Sequence, residues 1–162
     1  MNKEVYTWVR ENLPQTFNTV VEIGSRDING SLRSLFTGKN YTGVDILPGK
    51  NVDIVADASL ELPLAKDSFD LAVCVAVFEH TPDMANIILN TAAALRPGGT
   101  MLLMAAYSWP PHSAIDGDRR LHPGEHYANI APKEMESALA AAALSNWKVT
   151  TVGPNVYGIA IK

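Results

Sequence analysis

Three carboxylates in this sequence fall where a nucleotide-like ligand would meet them. Glu22, Asp45 and Asp57 each lie at the end of a short apolar run, the usual place for a strand tip. Glu22 stands just before the turn glycine Gly24, where it can accept from a ligand's amino group or from the loop's own amides. A plain surface acid is the alternative. Asp45 follows Gly24 by 21 positions (45 − 24). In nucleotide-binding α/β units an acid at about that distance takes two ribose hydroxyls through its two oxygens. Asp57 is placed either to accept from the exocyclic amine of a base or to cap the turn that follows it. Proton transfer near neutral pH asks for a histidine or a raised carboxylate, and the chain has four histidines. His80 follows Glu79; it is either a base at the sheet edge or a structural residue fixing the turn Glu79-His80-Thr81. The run His122-Pro-Gly-Glu-His126, with Glu125 between the imidazoles, has a metal-like look. It lacks a third ligand, however, and Pro123-Gly124 precludes a helical histidine pair, so a substrate-facing loop is expected there and no metal site.

These residues need a scaffold, and the hydrophobic pattern supplies one. Val5, Trp8, Val9 and Leu13 share a helical face that Pro14 ends, and Trp8 is read as core. Thr19 to Ile23 is a β-branched strand ending at Gly24, and Gly30 to Phe36 has helical spacing. The expectation is a strand, turn and helix whose unpaired amides and positive end face a ligand. Further strands are expected at 41–46, 52–56, 69–77 and 100–106, the fourth covered on both faces. The link between the second and third strands is too short for a crossover helix. Thr81 or Asp83 should cap a helix from Met84 to Leu95, and the glycines after Arg96-Pro97 should give it a left-handed exit. An alanine-rich helix at 132–144 precedes a hairpin of strands at 147–152 and 156–161. The fold class is therefore α/β, a doubly wound Rossmann-like sheet.

One stretch, residues 107–131, has no periodicity. It holds Tyr107, Trp109, Tyr127, His112, His122 and His126 with Pro110, Pro111 and Pro123. An irregular segment of that length in a compact domain is usually functional. An ordered substrate cover is expected. With 162 residues, 47% of them hydrophobic, the chain suits a single domain spanning 1–162. A net charge of −4 without like-charged blocks disfavours nucleic acid and favours a small molecule. Cys74, alone in an apolar run, is expected in the core. No signal peptide opens the chain and no apolar run approaches the roughly 20 residues of a membrane helix, so a soluble cytoplasmic protein is expected.

With these motifs in view, the chain resembles the class I S-adenosylmethionine-dependent methyltransferases, the small-molecule group with a bare methyltransferase domain. The resemblance rests on Val-Val-Glu-Ile-Gly at 20–24, Tyr-Thr-Gly-Val-Asp at 41–45, Val-Ala-Asp-Ala at 55–58, Phe-Asp-Leu at 69–71 with Val-Phe-Glu-His at 77–80, and Leu-Arg-Pro-Gly-Gly at 95–99. It implies a seven-stranded, mostly parallel sheet with the last strand antiparallel. It also implies S-adenosylmethionine as cofactor, bordered by Glu22, Gly24, Ser25, Arg26, Asp45, Ile46, Asp57, Ala58 and Val75. The implied reaction is methyl transfer to a hydroxyl or amine of a small molecule or sugar. For a catalytic base the chain's own residues offer His126 or His122, in the irregular segment that leaves the fifth strand at the sheet's carboxyl edge, ahead of His80. Two departures stand out. Arg26 and Ile28 replace glycines of the family's loop, so Arg26 is expected to approach the cofactor's carboxylate, and Ala76 replaces a frequent polar residue. A nicotinamide dinucleotide enzyme is disfavoured because the GxGxxG turn is missing and Asp27 would repel a pyrophosphate. A non-catalytic subunit with a cofactor fold is the other alternative.

Overall fold

The computed structural model describes residues 3–162. Seven strands form one sheet in the order β3-β2-β1-β4-β5-β7-β6. They are β1 (Thr19–Ile23), β2 (Asn40–Asp45), β3 (Ile54–Val55), β4 (Phe69–Val75), β5 (Leu95–Ala106), β6 (Ser145–Val152) and β7 (Asn155–Ile161). β1 to β5 pair in parallel, and β7 runs antiparallel to both β5 and β6. The mostly parallel sheet with an antiparallel last strand is thus as the sequence implies. β1 and β4 sit at the centre and point their carboxyl ends to one edge, where strand order reverses. That edge is where open α/β sheets hold ligands.

Both faces of the sheet are covered, which explains the unbroken apolar run of β4. On one face α2 (Met84–Ala94) and α3 (Pro132–Ala141) pack Ile87, Ile88, Met135 and Leu139 against Val21, Ala72, Cys74 and Leu103. On the other, α1 (Lys3–Glu11) lays Val5 and Val9 with Leu32 and Phe36 over Val20, Leu71, Val73 and Leu102. Alternate residues of β1 and β4 serve opposite layers, as the two-residue period of a strand demands. Each buried aliphatic side chain contributes about 1.5–3 kcal/mol of burial. Trp8 packs on Tyr157 with ring centroids 4.6 Å apart, and the Cys74 thiol is free and buried, as expected of core residues.

Three local expectations need correction. The segment after Gly30 is not an α-helix but one 3-10 turn, Arg33–Phe36, so no helix dipole faces the first loop. Residues 24–32 are spent wrapping the sheet edge, and Gly38 at φ 78 ends the turn before β2 begins, leaving no length for a helix. Secondly, Asp83 occupies the α2 cap position without a side-chain bond to the helix; the Thr81 hydroxyl instead accepts the Asp83 N–H at 3.0 Å. Thirdly, α2 leaves through Leu95 in an extended conformation, not through a left-handed glycine. Gly98, at φ 80, lies at the irregular start of β5, which begins at Leu95, five residues earlier than expected. The third strand shrinks to two residues, at the sheet's edge beside β2.

Candidate functional site

A cleft of about 950 Å³ opens at the carboxyl ends of β1, β2 and β4, lined by Glu22, Gly24, Ser25, Arg26, Asp45, Ile46, Asp57, Ala58 and Val75. All nine sequence-implied cofactor residues therefore meet in one place. The turn after β1 is held open by two glycines. Gly24 sits at φ 78, and a Cβ there would lie 2.3 Å from Val77 Cγ2. A Cβ on Gly43 would lie 2.1 Å from the Asn51 carbonyl and 2.7 Å from Ser25 Oγ. These close approaches seat Gly24 and Ser25, whose amides donate to the Val44 carbonyl at 2.8 and 3.1 Å. Ser25 Oγ is buried without a hydrogen-bond partner.

The three acids have different surroundings. Asp45 accepts the Arg26 amide at 3.2 Å and the Leu47 amide at 3.0 Å. A carboxylate has about four acceptor sites, so two are left for a ligand. Glu22 is buried and accepts the Tyr41 hydroxyl at 2.6 Å; burial pushes its carboxyl up to about 7. Asp57 takes both the amide and the hydroxyl of Ser59 on Oδ1, at 2.9 and 2.7 Å, so the turn-capping role foreseen for it is filled. Asp27 is paired with Lys50 Nζ at 2.7 Å and accepts the Gly30 amide, which turns its charge into a brace for the loop.

The irregular segment 107–131 folds over this cleft, contributing Trp109, Pro110, Pro111, His112, Ser113, Ala114, Ile115, Arg119, Gly124, Glu125 and His126 to its lining. Its order comes from polar ties. Glu125 Oε1 accepts from Ser113 Oγ and the Ala114 amide, both at 2.9 Å, while Oε2 accepts the His122 amide at 2.6 Å. Trp109 Nε1 donates to buried Asn155 at 2.7 Å. Arg26, which lines the cleft, also ties the segment to the loop. Its Nη2 donates to the Ala114 and Ile115 carbonyls at 2.9 and 3.1 Å, and its Nε stands 3.9 Å from Asp45 Oδ1. The cover thus closes on the loop through Arg26, because two orphan carbonyls at a turn outcompete solvent for a fixed fork of donors.

The histidines separate into three situations. His122 does not line the cleft: its ring is held by Asp116 at 2.8 Å, a bond that raises its pKa. That pairing corrects the idea of His122 as a base facing substrate, since the turn closed by Glu125 points it outward. His126 does line the cleft. His80 does too, at the end of the 3-10 turn Phe78–His80, and burial pushes its imidazole down to about 4. His112 packs edge-on to His80 at a centroid distance of 5.0 Å, and Tyr127 adjoins both. Sequence reasoning missed Glu79 as a site residue. It is 2% exposed and lines the cleft, with Oε2 unpartnered and its carboxyl pushed up to about 7 by burial. The available signal was an acid placed directly after an apolar strand and Phe78. Ala76 stands between these groups and the loop at φ 55, exposed in the cleft.

Comparison with known proteins agrees with this architecture. The model of a family described as a methyltransferase domain matches residues 2–149. A ubiquinone biosynthesis O-methyltransferase of Xanthomonas campestris pv. campestris (strain B100) is 35% identical over 101 residues, covering 57% of this chain and 41% of that protein. The enzyme of the same name from Ralstonia nicotianae is 28% identical over 107 residues, covering 57% and 44%. The chain thus spans less than half the length of these curated relatives. Among solved structures, the Burkholderia thailandensis 1,6-didemethyltoxoflavin-N1-methyltransferase, with 1,6-didemethyltoxoflavin and S-adenosylhomocysteine bound, superposes with a TM-score of 0.75 at 18% identity, over 99% of this chain and 77% of that one. An S-adenosylmethionine-dependent methyltransferase from Mesorhizobium loti gives 0.70 at 17% identity, over 96% of both chains. The chain belongs to the class I S-adenosylmethionine-dependent methyltransferases.

Proposed function

We propose that this methyltransferase domain binds S-adenosylmethionine between the β1 loop and Asp57, and passes its methyl group to a hydroxyl or amine of a small molecule or sugar held under the 107–131 cover. The observation that carries the reading is a single cleft joining the Gly24–Asp45–Asp57 loops to Glu79, His80 and His126. Ser25 Oγ, buried and unpartnered at that end, is the orphan group a polar ligand would satisfy. Asp45 would take the ribose hydroxyls on its remaining acceptor sites, and Ile46 and Ala58 offer apolar surface to the base. Bound there, S-adenosylmethionine supplies a methyl on a positive sulfur, so the protein has little chemistry of its own to perform. Its residues must align an acceptor atom about 3–3.5 Å from that carbon and remove a proton. His126, at the cleft wall, is the group assigned to the proton. Trp109, Pro110 and Pro111 add apolar wall to the same cleft. The names of the curated relatives favour a hydroxyl acceptor.

A transfer assay against a panel of phenols, amines and sugars, read by release of S-adenosylhomocysteine, tests the assignment. His126→Ala should keep its affinity for that product and lose transfer by about 100-fold or more, the usual share of a general base. His122→Ala should keep both. Full transfer by His126→Ala would overturn the role given to it.

A further inference from the structure

Three groups at the acceptor end of the cleft converge without an explained purpose. Glu79, His80 and His112 each place one ligand-capable atom so that all three lie within 4.8 Å of one another. Glu79 reaches this point from the 3-10 turn after β4, His80 from the same turn, and His112 from the cover. Two of the three have buried atoms with no partner: Glu79 Oε2 and His80 Nδ1. A buried carboxylate oxygen left without a hydrogen bond is costly, and a second orphan beside it compounds the cost. A pair of orphans facing a third polar group is therefore a gap in the hydrogen-bond accounting that a bound species would fill.

The nature of that species follows from how the imidazoles are held. His112 Nδ1 lies 3.2 Å from the Pro110 carbonyl, which leaves Nε2 free as an acceptor. The His80 ring is hydrogen-bonded to the His126 backbone, and Nδ1 is the nitrogen without a partner. Each ring thus gives one nitrogen to the main chain and keeps the other for the cluster. This is the arrangement by which proteins orient imidazole toward a metal. Two neutral nitrogens and one carboxylate oxygen form a His₂Glu set, suited to zinc and to the divalent ions of its neighbours in the first transition row. Calcium and magnesium prefer oxygen alone.

We infer that Glu79, His80 and His112 form a binding site for one divalent transition-metal ion of the zinc class, with its open positions facing the cleft. Metal bonds of about 2.0–2.2 Å put tetrahedral donors about 3.4 Å apart, so atoms within 4.8 Å of one another need draw together by at most about 1.4 Å. The cover, anchored through Trp109 and Arg26, carries His112 and can make that adjustment without moving the sheet. Because all three residues line the cleft, an oxygen or nitrogen of the acceptor is the natural fourth ligand. The site therefore deepens the proposed methyl transfer, and rests on it only for the identity of that fourth ligand.

The test needs neither cofactor nor acceptor. Chelator-treated full-length protein is titrated with ZnCl₂ by calorimetry and with CoCl₂ by visible absorption. One ion per chain is expected, with tetrahedral or five-coordinate cobalt bands. His112→Ala should weaken binding by more than about 100-fold, beyond the roughly 10–100-fold typical of outer-shell changes. Glu79→Gln should do the same. His122→Ala, which removes an exposed imidazole paired with Asp116, should leave the ion bound. Should His112→Ala fail to unfold cooperatively, His112→Gln replaces it. Absence of binding by the wild type, or binding that survives in folded His112→Ala or His112→Gln, overturns the inference. Loss in His122→Ala alone assigns the ion to the surface pair and overturns it equally. S-adenosylhomocysteine titration of the same sample separates this failure from failure of the methyltransferase reading.

Discussion

Replacing Arg26 with alanine should unlatch the 107–131 cover while leaving the sheet intact. The guanidinium makes two hydrogen bonds from Nη2, at 2.9 Å to Ala114 and 3.1 Å to Ile115, and its side chain is only 18% exposed. Bonds from a charged donor contribute about 1.5–3 kcal/mol each when buried. Shared geometry, partial exposure and the entropy of fixing arginine reduce the pair to about 2 kcal/mol. That is about a 30-fold shift in the local opening equilibrium, at about 1.4 kcal/mol per factor of ten. Hydrogen exchange followed by mass spectrometry reads it directly. The amides of Ala114, Ile115 and Gly117 are bonded within the cover and should exchange about 30-fold faster, while those of β4 and β5 stay protected. Unchanged exchange in the cover, with affinity for S-adenosylhomocysteine sharply reduced, would refute the latch and leave Arg26 to the cofactor's carboxylate alone.

Two further substitutions test the energetics of the site. The Glu79 carboxyl is pushed from an ordinary 4.5 up to about 7 by burial, so the folded state holds its proton more tightly than the unfolded chain. Below pH 4.5 both states are protonated; as pH rises toward 7 only the unfolded chain ionises, and stability is lost. In chelator-treated samples Glu79→Gln should therefore match the wild type near pH 4.5 and exceed it by roughly 1–3 kcal/mol above pH 7, in urea unfolding; a gap independent of pH would contradict the assignment. Trp109→Phe removes the donor to buried Asn155 and should lower stability by about 1–2 kcal/mol, a fall in Tm of about 2–8 °C by calorimetry, whereas an unchanged Tm would mean that Trp109 does not anchor the cover.

Most of the fold was legible because its signals were local. β-Branched runs ending at Gly24, Asp45 and Asp57 gave the strand tips, and the unbroken run of β4 gave its position between two helical layers. What escaped depended on non-local bonds. Helical spacing in Gly30–Phe36 could not reveal that the preceding loop consumes the length a helix needs. The tie of Arg26 to the cover was hidden because its carbonyl partners lie 88 and 89 residues away. Glu79 and His112 are 33 positions apart (112 − 79) and meet only through the cover's path. The sequence pairing of His122 with His126 suggested one shared site, yet a turn capped by Glu125 sends the first outward and the second into the cleft.

The central claim is that Asp45 and its neighbouring loops hold a nucleoside cofactor, and calorimetric titration with S-adenosylhomocysteine tests it most directly. The wild type should bind one equivalent, and NAD much more weakly. Asp45→Ala should lose charged hydrogen bonds worth about 1.5–3 kcal/mol, a weakening of roughly 10- to 150-fold. No binding by the wild type, or equal binding by Asp45→Ala, would contradict the account.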